Sequence, residues 1–317
     1  MTAPLPAYAD AGRSFPSFRA PYAQRSANLA AFLFAAELPA LSAWCDSALN
    51  VSDAFAYRYV PASSSVMLVY ADMLVSSRDE RDAQVGLIPE SEIGFWVLTL
   101  AQRKTRRGYI PSHFAWALPY VFVNEGSALI SGREVFGFNK QLARIEQPAR
   151  LQKPEFSAET MGFKTFGAES VAQYETLLRA RPFASSLDEQ PAQFREAQSL
   201  FMDDLFRRAR AGLDGTLTRL ASRLLNDSIP LVFLKQFRDA ADSSLACLQQ
   251  LVEVRLTVER FRAGGMLLKP YLLNLPPLAS HPLAQTLGLQ ENQGSKIGVW
   301  LQLDFLLHRA KIISAPR

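Results

Sequence analysis

The sequence has little of what most catalytic metal sites need. It holds two cysteines, Cys45 and Cys247, and three histidines, His113, His281 and His308, in 317 residues. The cysteines lie far apart in apolar surroundings, which excludes a disulfide framework and a zinc spacing. The histidines stand singly, so no metal and no other cofactor is expected. No uninterrupted apolar run approaches the roughly 20 residues of a membrane helix. The nearest approach to a targeting segment is "NLAAFLFAAELPAL", whose apolar part, Leu29 to Ala36, stops at Glu37. Its lead-in is too long and mixed for a signal peptide. A cytoplasmic protein with no membrane partner is expected. Neither sign of charge dominates: 34 Lys and Arg against 30 Asp and Glu leave a net charge of +4. The one basic concentration is "QRKTRRG", with Arg103, Lys104, Arg106 and Arg107. It reads as a solvated loop between strands. A nucleic-acid face would need interleaved aromatics, so no nucleic-acid partner is expected.

What is present is ordinary globular composition, 49% hydrophobic and 20% charged, with length enough for a sizeable core. Residues 1–24 lack periodicity and read as an extended arm. "AELPALSAWCDSALN" reads as a short helix with Pro39 near its start. Next come short stretches rich in β-branched and aromatic residues: "SVMLVYADMLVSS", "SEIGFWVLTLAQ", "AWALPYVFVN", "ARIEQPARLQ" and "AETMGFKTFG". These read as strands. Strands resume with "IPLVFLKQFRD", "CLQQLVEVRLTVERF" and "IGVWLQLDFLLHRAKIIS". In the second, Val252, Val254, Leu256 and Val258 share one face, as in an antiparallel sheet with a core side. Between the two β regions, residues 168–228 read as a helical insertion. Phe194, Ala197, Phe201 and Leu205, then Leu213, Leu217, Leu220 and Leu224, follow helical spacing. The expected organisation is one domain over residues 1–317 with that insertion inside it.

The stretch "GREVFGFNKQLARI", Gly132 to Ile145, holds one lysine, Lys140. A lysine amine is a nucleophile only when deprotonated, and its ordinary pKa near 10.4 leaves it protonated at neutral pH. Val135, Phe136, Phe138 and Leu142 offer an apolar setting that would lower that pKa. Gly132 and Gly137 would permit tight turns and close backbone approach.

The same stretch resembles the signature of the acetoacetate decarboxylase family, in which a GRE segment and an aromatic precede a Schiff-base lysine. "SEIGFWVLTL" is similar to the family's strand carrying an active-site glutamate, here Glu92. "TMGFK", "IPLVFLKQFRD", "CLQQLVEVRLTV" and "LQLDFLLHRAKII" resemble further strands in the family's order. The resemblance covers most of residues 30–168 and 229–315, but not the insertion. It implies a mainly β fold, an α+β protein whose antiparallel sheet is barrel- or cone-like. It also implies an enzyme whose lysine, Lys140, condenses with a ketone, while Glu92 handles protons. Decarboxylation of a β-keto acid is the first expectation. Aldol condensation and dehydration of an α-keto acid is the second, and a non-catalytic scaffold the contrasting one. A small-molecule keto acid and a second copy of the chain are the expected partners.

This chain departs from the family pattern at several places. Gln141 stands where a second lysine is usual, and Asn139 where proline is usual. The family's carboxylate-holding arginine on the first strand aligns with Ala27, with Arg25 nearby. Its second acidic residue aligns with Tyr70, with Asp72 nearby. Phe138, Gln141, Tyr70 and Arg25 are therefore the expected pocket residues, and Arg133 and Glu134 are expected to orient the lysine segment.

Overall fold

The computed structural model describes residues 6–9, 18–183 and 229–315. The chain forms β1 (Tyr22–Ala35), helix α1 (Leu38–Ala48), β2 (Tyr57–Pro61), β3 (Ser65–Ser77), β4 (Ile88–Thr105) and β5 (Gly108–Val123). Helix α2 (Gly126–Ser131) runs into a π-helical turn (Gly132–Phe136), followed by β6 (Lys140–Leu142), β7 (Arg144–Glu146), β8 (Phe156–Gly162) and β9 (Gln173–Pro182). The second half supplies β10 (Leu231–Arg238), β11 (Ala246–Val254), β12 (Leu256–Met266), β13 (Tyr271–Asn274), α3 (Leu283–Leu287), β14 (Asn292–Gly294), β15 (Ile297–Leu307) and β16 (Lys311–Ser314). The fold is mainly β, and no described helix is long and apolar enough to cross a membrane.

An eleven-stranded sheet follows the path β12-β15-β1-β3-β4-β5-β10-β11-β16, with β2 on β4 and β6 on β5. It is mixed, since β5 pairs in parallel with both β10 and β6. The expectation of a wholly antiparallel sheet is corrected by these parallel pairs, and among the described residues no closed barrel is found. Chain continuity brings its two ends together instead. β11 runs into β12 through Arg255, and β15 runs toward β16, so one bent ribbon belongs to both edges. The bend spares the alternation read in the sequence: Val252, Val254 and Leu256 are all buried, and Val258 packs against the same core.

Strand β3 is apolar on both faces because both faces are covered. Met67, Val69, Ala71, Met73 and Val75 belong to one core cluster, with β1, β15 and the π-helical turn. Val66, Leu68 and Tyr70 belong to another. That second cluster is closed by a five-stranded sheet, β14-β13-β9-β8-β7. Its inner side brings Phe156 to 5.0 Å from Tyr70 and Tyr271 to 4.6 Å from Phe32, ring centre to ring centre. β9 corrects the expected boundary of the insertion. Residues Gln173–Pro182 are a strand between β8 and β13, with Leu177, Leu178 and Ala180 buried. The helical spacing that suggested an insertion begins only at Phe194. The stripes from Phe194 to Leu224 lie outside the described residues. The basic run Arg103 to Arg107 forms the exposed end of the β4–β5 hairpin.

Candidate active site

Lys140 opens β6 and pairs with Val121 of β5. The segment before it explains how a lysine comes to be buried there. The Glu125 side chain caps α2, accepting from the Ala128 N–H at 3.0 Å and from the Ser127 hydroxyl. The π-helical turn ends at Gly137, whose φ of +81° suits glycine. A Cβ there would also meet the backbone of Lys235 on β10, 2.5 Å from its Cα. Gly132 is bare for a different reason. A Cβ on it would lie 2.7 Å from Lys140 Cδ, so the lysine's aliphatic stem lies across the glycine.

The stem delivers the amine between two carboxylates of β4. Lys140 Nζ donates to Glu90 Oε1 at 2.7 Å and lies 3.0 Å from Glu92 Oε2. Glu90 and Glu92 share a face because residues two apart on a strand do. Opposite them on β3 stand Met73 and Ala71, so the amine and its partners face the interior of the curved sheet. Burial is the largest influence on the amine and would lower its pKa. The charges of Glu90 and Glu92, with their hydrogen bonds, more than offset it and hold Lys140 above the ordinary lysine value. The depressed pKa expected from the apolar flanks is therefore corrected. The flanks were only part of the environment, and Leu142 is in fact exposed. The Glu90 carboxyl is raised, by burial first and by the neighbouring Glu92, against the lowering effect of Lys140.

Beside the amine is a small cavity of about 40 Å³, walled by Phe18, Tyr22, Val75, Phe136, Phe138 and Leu307. The Phe138 ring centre lies 5.4 Å from Lys140 Nζ, within reach of a cation–π attraction. The Tyr22 hydroxyl donates to Phe18 O at 2.7 Å, and burial pushes its pKa up to about 12, so it remains a donor near neutral pH. Gln24 also reaches the cavity, and its buried Oε1 has no hydrogen-bond partner among the described residues.

The expected site is thus partly assembled. Lys140, Glu92 and Phe138 come together. Tyr70, Gln141 and Arg25 do not, and strand alternation is the reason in each case. Tyr70 is opposite Ile93, on the face turned to the five-stranded sheet. Asp72 shares that face and accepts from Asn28 Nδ2 at 2.8 Å. Gln141 follows Lys140 and so turns the other way, where His281 Nε2 lies 2.5 Å from its Oε1. Arg25 is exposed at a bulge in β1, opposite Leu74, whereas its neighbour Gln24 is opposite Val75, a cavity residue. Arg133 and Glu134 do not line this cavity. Arg133 donates to the Lys140 carbonyl at 3.4 Å, and Glu134 accepts from the Tyr8 hydroxyl at 3.0 Å. Sequence reasoning missed Glu90. Its signal was the segment Glu90-Ser91-Glu92 on a strand, two acids at the spacing that shares a face.

No protein-family model matches the chain, and no curated protein sequence does. Solved structures do. Acetoacetate decarboxylase from Legionella pneumophila superposes with a TM-score of 0.58 at 15% identity, covering 98% of this chain and 99% of that one. An acetoacetate decarboxylase-like enzyme from Sphingomonas wittichii RW1 gives 0.56 at 13% identity, over 97% of this chain and 100% of that one. The enduracididine biosynthesis enzyme MppR, complexed with the condensation product of pyruvate and imidazole 4-carboxaldehyde, gives 0.56 at 13% identity, over 96% and 93%. End to end along its length, this chain has the fold of acetoacetate decarboxylase and the acetoacetate decarboxylase-like enzymes.

Proposed function

We propose that this protein is a Schiff-base enzyme in which Lys140 condenses with the carbonyl of a keto acid. One observation carries the reading. A buried amine is held by two carboxylates, at 2.7 and 3.0 Å, beside a largely apolar cavity. An ion pair kept for structure needs one carboxylate. A second, whose carboxyl pKa is pushed up from its ordinary value by burial, suits acid–base work.

At rest Lys140 is an ammonium. Transfer of its proton to Glu90 leaves a neutral amine beside a neutral acid, and exclusion of water by substrate favours that pair over the charged one. The amine adds to the carbonyl carbon. The resulting carbinolamine loses its hydroxyl as water, with the proton supplied by Glu90, and the iminium nitrogen stays beside the Glu92 carboxylate. The iminium then draws an electron pair from the adjacent C–H or C–C bond, which gives an enamine. Protonation or carbon–carbon bond formation at that carbon, followed by hydrolysis, returns the lysine.

Aldol-type condensation and dehydration is favoured over decarboxylation. Two carboxyl groups can move protons, and among the described residues no guanidinium lines the cavity to hold a departing carboxylate. The complex of MppR with a pyruvate condensation product on the same fold supports this order. Decarboxylation is the second reading, supported by the apolar walls, which favour loss of a charged group as neutral carbon dioxide. Borohydride added with pyruvate or acetoacetate tests the common step. A reduced adduct is expected at Lys140 by peptide mass. Its absence with both compounds and with a longer keto acid such as 6-oxoheptanoate, against full recovery of unmodified Lys140, overturns the reading.

A further inference from the structure

Beyond Phe138 lies a second space, a groove of about 280 Å³ between α1, β5 and β10. Trp44, Leu118, Val232 and Phe233 give it apolar walls, and Asn139 and Gln236 add polar ones. Its lining contains one ionic group, Arg133. That guanidinium is exposed, and its one hydrogen bond among the described residues is the 3.4 Å contact to the Lys140 carbonyl. A guanidinium has five N–H donors, so most of its capacity faces the groove uncommitted. Among the described residues no carboxylate pairs with it, although Glu134 is the next residue in the chain.

Phe138 alone among the described residues lines both spaces. Its ring centre is 5.6 Å from Phe136, on the lysine's side, and 4.0 Å from Phe233, on the groove side. Phe138 therefore borders both the amine cavity and a groove whose guanidinium has no carboxylate partner among the described residues. The charges of the two spaces are complementary in use. In the cavity, Lys140 is already matched by Glu90 and Glu92, which leaves no net positive charge for an anion. In the groove, the guanidinium is unmatched by any carboxylate among the described residues and suits a planar carboxylate.

We infer that the groove is a binding subsite for the carboxylate end of the substrate, held by Arg133, while the carbonyl end reaches Lys140 past the Phe138 ring. The class of substrate this selects is a keto acid whose carboxylate is separated from its carbonyl by several carbons, not an acid with the two groups adjacent. The inference rests on the Schiff-base reading for its carbonyl end only.

Two measurements on the full chain test it. Heptanoate, which has no ketone, is titrated while tryptophan fluorescence is followed, with Trp44→Phe used to assign the signal to the groove. Saturable quenching is expected, weakened about tenfold or more in Arg133→Gln and largely restored in Arg133→Lys. Separately, borohydride trapping at Lys140 is compared for 6-oxoheptanoate and 2-heptanone. The wild-type preference for the acid is expected to fall about tenfold in Arg133→Gln. Equal heptanoate titrations in wild type and Arg133→Gln, or an unchanged preference, overturn the inference. Saturable, Arg133-dependent heptanoate binding without trapping of either ketone would leave the carboxylate subsite standing and sink the Schiff-base reading. Trapping without heptanoate binding would do the reverse.

Discussion

Lys140 Nζ and Glu90 Oε1 are 2.7 Å apart, and both side chains are more than nine-tenths enclosed. This pair sets how the amine titrates. With its pKa held above the ordinary lysine value, wild-type Lys140 should, with no keto acid bound to drive its proton onto Glu90, react with a small aldehyde and borohydride only at higher pH than an exposed lysine. Glu90→Gln removes one of the two charges that raise it and leaves the burial that lowers it. Onset of modification in Glu90→Gln should therefore move to lower pH. Superimposable pH profiles for the two proteins would show that Glu90 does not control the amine.

The same pair ties stability to pH. A raised amine pKa stabilises the fold at pH values below the unfolded lysine value, and that contribution is lost as pH climbs through the folded one. Lys140→Met strands two carboxyls in the interior, at a cost of about 3 kcal/mol near pH 8 by analogy with broken buried pairs. Glu90 has a raised pKa, so its contribution is favourable on the acid side and is lost as pH rises. The penalty of Lys140→Met should accordingly shrink toward pH 5. Urea unfolding of both proteins at the two pH values measures it. A penalty that is equal at both would count against a charged cluster.

Gly132→Ala tests the path of the lysine stem. A Cβ 2.7 Å from Lys140 Cδ and 3.1 Å from Cε forces the stem, not the backbone, to move. We expect a folded protein, with unfolding free energy within about 1 kcal/mol of wild type, and adduct formation at Lys140 reduced tenfold or more. Retained trapping would mean that the amine reaches its place by another rotamer.

Gln141→Lys places an ammonium on the far face of β6, toward His281 and away from Lys140. The aldehyde-reactivity profile of Lys140 should shift by less than threefold in rate at any pH. Stability should fall by about 1–2 kcal/mol as the Gln141–His281 contact is replaced by a charge beside a buried imidazole. A large gain in Lys140 reactivity would show that the two faces are electrostatically joined through the sheet.

Much of this site was legible in the sequence because it is local. The two glycines, the aromatic step and Lys140 lie within one short segment, where Gly137 takes a positive φ and Gly132 lies under the lysine stem. Glu92 was placed by the resemblance of its strand, and it comes within 3.0 Å of the amine. The failures have a common cause, since a strand reverses the direction of its side chains at every residue. Arg25 and Gln24 are adjacent, yet only Gln24 meets the cavity. Tyr70 was matched to the site, while Ala71 occupies the position opposite Glu92. An alignment accurate to one residue is not accurate enough to choose a face. The electrostatic direction was missed because an apolar flank says nothing about a carboxylate fifty residues earlier, and Glu90 became a partner only through the pairing of β4, β5 and β6.

The bent ribbon of β11–β12 against β16–β15 carries a consequence for how the molecule opens. Its two arms lie at opposite ends of the strand order, so each edge of the large sheet is anchored to the other by covalent chain. Peeling β12 from β15 pulls on Arg255, and through it on β11. Fraying at one border is then expected to be transmitted to the other, so that the two open as one cooperative unit in hydrogen exchange. The amides of Leu256–Met266 and of Lys311–Ser314, at opposite ends of the strand order, are expected to share one opening event.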